Sequence, residues 1–408
     1  MRRNSVVGTT FLVLLAALVI GQALLDRAAA AQDGKRRMAP RFEVDPFWPK
    51  PLPNGWLLGM SIGVGVDARD HVWIVHRNDR GFTERTEIGL ATNPPTAEFC
   101  CRPAPPVLHF DPAGNLVGSW GGKAQGYDWP ESNHGITVDH KGNLWIGGNG
   151  DGDSHILKFT QDGKLLAQFG KPGVRRVKTD GDKPVYAGNS HDTQNFGRVA
   201  KIFIDPRANE AYVADGYLNK RVAVIDADTG TFKRYWGAYG NKPDDKDLGR
   251  YNPDDPPAQQ FRTPVHCAEL ANDGLLYVCD RPNDRIQVFK SDGTFVKETW
   301  IAKRTLGDGS VWDIAFSKDP QQRFLYLADG KNERVYILER ATLELLTSFG
   351  DGGRQPGQFF GVHSIATDSK GNIYTTETYE GKRLQKFVYK GLAPVTTPHQ
   401  GTVWPEKK

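Results

Sequence analysis

The chain has 408 residues, 38% hydrophobic and 25% charged, with 45 glycines, 26 prolines and a formal net charge of +4. The charges are scattered rather than gathered into a basic stripe, so composition excludes a nucleic-acid or membrane-surface partner as its natural reading. Length alone suggests two domains, but internal repeats break that arithmetic and come first.

Residues 1–31 read as a secretory signal peptide: Arg2 and Arg3 form a charged start, Phe11 to Ile20 is apolar, and Ala28 to Ala31 offers small-residue cleavage sites. Gly21, Gln22, Asp26 and Arg27 interrupt the apolar run before it reaches the roughly 20 residues of a membrane span. The mature part, about 377 residues at net +2, is expected to be exported, periplasmic or secreted, and without a membrane partner. The Arg pair lacks the fuller twin-arginine pattern, which leaves the export route open.

Arg41 to Trp48, RFEVDPFW, is a lone strand pattern. One unit then recurs: a short apolar strand, a turn rich in Asp, Asn and Gly, a second strand with aromatic and β-branched residues, a polar loop and a third strand. The copies are SIGVGVDARDHVWIVH from Ser61, HGITVDHKGNLWIGG from His134, VAKIFIDPRANEAYVAD from Val199, VHCAELANDGLLYVCD from Val265, VWDIAFSKDPQQRFLYLAD from Val311 and VHSIATDSKGNIYTTE from Val362. Several end in an aromatic-Gly pair: Trp120-Gly121, Phe169-Gly170, Trp236-Gly237 and Phe349-Gly350. Six such copies predict an all-β fold, a six-bladed β-propeller of NHL-like repeats over 41–392 with a tail at 393–408. The last copy lacks an outer strand after Phe387, and the 41–48 strand is expected to close the ring and cover the open edge. Inserts at 79–106, 171–197 and 238–264, rich in Gly, Pro, Asp and Asn, interrupt the blades and are read as functional loops or as disordered decoration. Cys267 and Cys279 fall opposite each other across one hairpin, as either a bridge or two buried thiols. Consecutive Cys100 and Cys101 form either a vicinal ring or links to another chain.

Aligned on their first turns, the copies place His134, His266 and His363 at one position, the start of the innermost strand, in blades two, four and six. The other copies carry Ile62, Ala200 and Trp312 there. First strands line the channel of a propeller, and alternate blades lie about 120° apart, so three imidazoles are expected to converge at one depth. That is a zinc shell with its fourth position open. His71, His109, His140, His155 and His399 fall in turns or outer strands, whereas His191 lies in an insert and stays a candidate. The second strand returns to the same mouth, so residues just after it should approach the metal: His76-Arg77-Asn78 in blade one, Asp215-Gly216-Tyr217 in blade three. Arg77 would clamp a carboxylate, and Tyr217 would act as acid, base or metal-bound phenolate.

At these residues the chain resembles the peptidyl-α-hydroxyglycine amidating lyases, or peptidylamidoglycolate lyases. The similarity runs from about Trp56 to Phe387 and rests on VWIVHR, HGITVDHKGNLW, AYVADGYLNKRV, FRTPVHCAEL, CDRPNDRIQVF and FFGVHSIATD. It implies a catalytic zinc on His134, His266 and His363, with Arg77 and Tyr217 at the substrate, and cleavage of a carbinolamide N–C bond to an amide and glyoxylate. The substrate would be a small molecule or peptide bearing a carboxylate, and the protein a monomer. Asn133 and Val362 stand where the family has proline, Val265 is inserted between Pro264 and His266, and Gly361 replaces a methionine near the substrate. Ser364 replaces the acidic residue that helps hold a structural calcium, which leaves that ion without one of its ligands. No copper monooxygenase half accompanies the repeats, so the natural substrate is open. Two other readings compete: a calcium-dependent lactonase, whose hard cation calls for carboxylates and Asn where this chain has histidines, and a non-catalytic propeller binding a protein or glycan.

Overall fold

The computed structural model describes residues 37–405, so the signal-peptide reading of residues 1–31 falls outside the described residues. Six four-stranded antiparallel sheets stand around one axis. Their innermost strands are Ser61–Val66, Asn133–Val138, Val199–Asp205, Val265–Leu270, Asp313–Phe316 and Val362–Thr367. Each packs beside the next, and the inner strand of blade six packs beside that of blade one. The protein is a six-bladed β-propeller.

A repeated Asp, present in blades one, two, three and six as Asp67, Asp139, Asp205 and Asp368, explains why those hairpins turn where they do. In blade two Asp139 Oδ1 accepts the backbone N–H of Lys141 at 2.9 Å and of Asn143 at 2.8 Å, while Oδ2 accepts Trp145 Nε1 at 3.0 Å. Blade six repeats the device with Asp368, Lys370, Asn372 and the Tyr374 hydroxyl. One carboxylate thus closes the turn and pins the aromatic of the second strand.

Alternation along the strands sends apolar side chains to both faces, and six hydrophobic clusters form, one in each wedge between neighbouring blades. Between blades one and two the wedge buries Ile62, Trp73, Val107, Ile146 and Phe159. Each aliphatic side chain fully buried this way contributes roughly 1.5–3 kcal/mol.

The outer strand of blade six is Met38–Asp45, paired antiparallel with Arg383–Pro394 from Ala39 against Ala393 to Asp45 against Lys386. It begins three residues earlier than the strand read from RFEVDPFW and stops at Asp45, whose carboxylate accepts the Phe47 N–H at 3.1 Å in the turn made by Pro46. Cys267 and Cys279 are direct cross-strand partners with Cα atoms 4.8 Å apart and are bridged, and Cys100 is joined to Cys101.

The inserts are ordered against the blades. Arg221 donates to the carbonyls of Ser190, Asp192 and Asn195 in the second insert, and Arg285 to those of Ala258 and Gln260 in the third. The second insert also carries its own hairpin, Arg176–Asp180 with Lys183–Tyr186.

Candidate metal centre at the channel mouth

The histidines reach the axis because the ladder slips beside them. Val265 pairs with Asp280 and Cys267 with Cys279, leaving His266 unpaired between them; Val362 and Ser364 pair on either side of His363 in the same way. In blade two the extra residue is Gly135, next to His134, at a φ of +66°. A side chain there would have its Cβ 2.5 Å from the Ala200 carbonyl oxygen. Such bulges re-aim a side chain out of the strand alternation.

His134, His266 and His363 are buried, with ring centroids 4.8 to 5.2 Å apart, and their ligand nitrogens all lie within 4.8 Å of one another. The neighbouring blade sets two of the rings. His134 Nδ1 meets the Ala200 carbonyl at 2.7 Å and His266 Nδ1 meets the Trp312 carbonyl, while the buried His363 Nδ1, near the Ile62 backbone, has no partner. Ala200, Trp312 and Ile62 are the three repeat positions that lack histidine. An Nδ1–H held on a carbonyl leaves the Nε2 lone pair free for a metal. Burial, followed by the Arg77 charge, holds His134 down at about 3, and burial carries His266 and His363 well below the usual histidine range. All three are therefore neutral near neutral pH, as metal ligands must be.

Tyr217 closes the open side. Its hydroxyl lies 3.0 Å from His134 Nε2 and 2.9 Å from His266 Nε2. Arg77 stands at the rim rather than on the imidazoles: its Nη2 donates to Asn149 Oδ1 at 2.9 Å, its Nη1 lies 3.7 Å from Met60 Sδ, and its buried Nε has no partner. Among the described residues no carboxylate forms an ion pair with it, and burial holds it below the usual arginine range against the weaker opposing pull of Tyr217 and of Asp79. His76, its neighbour, faces inward instead: Nδ1 accepts the Gly59 N–H at 3.1 Å and Nε2 meets the Pro105 carbonyl at 2.9 Å. His191 is exposed beside Tyr235 and takes no part.

Arg281 was missed by the sequence reading. Its Nη1 lies 3.4 Å from the Tyr217 hydroxyl, its guanidinium sits 4.5 Å from the Trp312 ring centroid, and its one carboxylate contact among the described residues, to half-exposed Asp308, is 3.6 Å long. The signal was available, because Arg281 follows the second strand of blade four as Arg77 follows that of blade one. The same offset yields Asn149 in blade two, and Tyr379 lies two residues past the second strand of blade six. A groove of about 480 Å³ runs outward from Arg281 between the third insert and Leu306 to Asp308.

Two other sets bear on metals. Asp67, His71 and His109 cluster in blade one, with His71 Nδ1 2.7 Å from His109 Nε2. The Asp67 oxygens there are already filled by the N–H groups of Arg69 and His71, the Arg69 guanidinium and Trp73 Nε1. Beside Ser364 a calcium ion does not fit. The Ser364 hydroxyl donates to Asp313 Oδ2 at 2.6 Å, and that carboxylate already receives the Lys201 ammonium at 2.7 Å.

No family model matches the chain. It is 28% identical over 343 residues to peptidyl-glycine alpha-amidating monooxygenase A of Xenopus laevis, covering 79% of this chain and 31% of that protein. It is 26% identical over 370 residues to peptidyl-alpha-hydroxyglycine alpha-amidating lyase 1 of Drosophila melanogaster, covering 85% and 59%. The NHL repeat-containing protein 3 of Mus musculus is 24% identical over 385 residues, covering 90% and 89%. The chain is a distant homologue of these amidating-lyase and NHL-repeat proteins, and it spans from about a third to three-fifths of the length of the first two. Among solved structures, an auxiliary nutrient binding protein from Bacteroides thetaiotaomicron shares the fold at a TM-score of 0.53 and 11% identity, covering 86% of this chain and 78% of that one.

Proposed function

We propose that the protein is an exported zinc-dependent lyase that cleaves the N–C bond of a carbinolamide, releasing an amide and glyoxylate or a related oxo-acid. One observation carries the reading: three neutral imidazoles bring their ligand nitrogens together, a phenol sits on Nε2 of two of them, and a half-buried guanidinium without a carboxylate partner stands beside them. A half-buried cation with an unpartnered N–H is a ready site for an anion, here the substrate carboxylate.

Zinc held by His134, His266 and His363 would supply positive charge for the oxygen that loses its proton. Arg77 binds the carboxylate by its planar fork and so fixes which side of the carbinol carbon meets Tyr217. Tyr217 acts from its phenolate form: its oxygen takes the hydroxyl proton, the C–O bond becomes a carbonyl as the C–N bond breaks, and the proton now on Tyr217 passes to the departing amide nitrogen, which restores the phenolate. Proton and electron pair both stay within substrate and Tyr217, so no oxidant or reductant is needed. Arg281 lies on the Tyr217 oxygen, the correct charge for an oxygen that has given up its proton.

The test is metal analysis of the purified protein with a glyoxylate-release assay on α-hydroxyhippurate. About one zinc per chain and zinc-dependent glyoxylate are expected. A protein that holds zinc but releases none leaves the metal centre standing and sinks the reaction.

A further inference from the structure

Below the imidazoles the channel carries a charge cluster that the proposed chemistry does not use. Lys201, on the inner strand of blade three, reaches across the axis to Asp313 of blade five, at 2.7 and 3.0 Å, and to Glu269 of blade four, at 2.9 Å. The Asp313 carboxylate also accepts the Ile314 N–H at 2.9 Å, and from blade six the Ser364 hydroxyl at 2.6 Å and the Ile365 N–H at 3.0 Å. The side chains are 12%, 2% and 14% exposed for Lys201, Asp313 and Glu269. One ammonium thus ties four blades together on the axis.

Two carboxylates and a hydroxyl converging from three blades are what a hard divalent cation asks of a protein. Here the same oxygens are taken by the chain's own cation, and ammonium and metal cannot share them. Lys201 also follows Ala200, and Asp313 follows Trp312, the residues whose carbonyls set His134 and His266. The cation therefore braces the backbone that aims two of the imidazoles.

We propose that Lys201 is the built-in cation of this channel, that it removes any need for a divalent ion to hold the blades together, and that deleting its ammonium opens a calcium site on Asp313, Glu269 and Ser364. The proposal stands apart from the lyase reading, because it concerns fold stability and not turnover.

The experiment compares thermal unfolding of the whole mature protein, Lys201→Ala and Lys201→Ala/Asp313→Asn, with zinc saturating throughout and calcium either removed or in excess. The wild-type Tm should not respond to calcium. Lys201→Ala should melt several degrees lower without calcium and recover most of the loss with it, and the double variant should be low in both. A wild-type Tm that rises with calcium would overturn the proposal. So would a Lys201→Ala that melts like the wild type, or one whose loss calcium does not repair. If Lys201→Ala is recovered folded only from cells or refolding buffers containing calcium, the proposal holds; if it is insoluble either way, it fails. A calcium response retained by the double variant places the ion elsewhere and also defeats it.

Discussion

Asp284 keeps one carboxylate oxygen without a partner in a buried turn, while the other accepts the Ser310 N–H at 2.8 Å. Burial pushes its carboxyl up to about 7, against the smaller pull of the Ser310 bond. A carboxyl raised above its unfolded value contributes stability that is complete below about pH 4 and is lost as pH rises through about 7. Asn keeps the acceptor for Ser310 and tolerates the φ of +54°. Asp284→Asn should therefore gain on the wild type between pH 5 and pH 8, by on the order of 1 kcal/mol or more, in urea melts at the two values; an unchanged gap would show that the carboxylate is not strained. Arg77 calls for a kinetic test. Lys cannot reproduce a bidentate fork, so Arg77→Lys should lose at least about tenfold in kcat/KM on a carboxylate-bearing carbinolamide, on the order of 2 kcal/mol, with zinc content unchanged. His266→Ala should instead empty the metal centre. Full activity in Arg77→Lys would remove the clamp.

At the scale of the element, three of the loops that carry site residues are held by one repeated device. The last residue of a second strand pairs with an Arg at the start of the third: Asp215 with Arg221 at 2.8 Å, Asp280 with Arg285 at 2.7 Å and Glu377 with Arg383 at 2.8 Å. These pairs bracket the turns that present Tyr217, Arg281 and Tyr379. Breaking a buried pair by removing one partner strands the other charge, at a cost of about 3–5 kcal/mol. Arg285→Ala also drops the carbonyls of the third insert, so it should lower the Tm and make that insert the first point of proteolysis; a variant cut no faster than the wild type would separate the two roles. This device also marks where sequence reading stopped. The blades and the three histidines were legible because the Asp turn recurs and brings them into register. Arg281, Asn149 and Tyr379 were not, because they lie one or two residues past a strand end in turns of unequal length, where an alignment on the first turn loses its register. Lys201, Glu269 and Asp313 come from three blades, and no repeat position marks them as a set.

Over the whole molecule, six wedges of apolar side chains make each blade depend on its neighbours, and the ring is complete only when Met38–Asp45 lies along Arg383–Pro394. Removing residues 38–45 would bare the backbone of that strand, so the truncated protein should associate through it and run as dimers or larger species in size-exclusion chromatography. A synthetic MAPRFEVD peptide should reverse that association by filling the groove as an added strand; a truncated form that runs at the same assembly state as the full protein would show that the edge is covered by something else. The same closure sets an order of events during synthesis. The strand that finishes blade six leaves the ribosome ahead of every blade, while its partner is translated last. Blades one to five can form as they are made, but the first strand has no sheet to join until nearly the whole chain exists. For that interval it is a free hydrogen-bonding edge, and the step that ends its exposure is the same one that locks the ring.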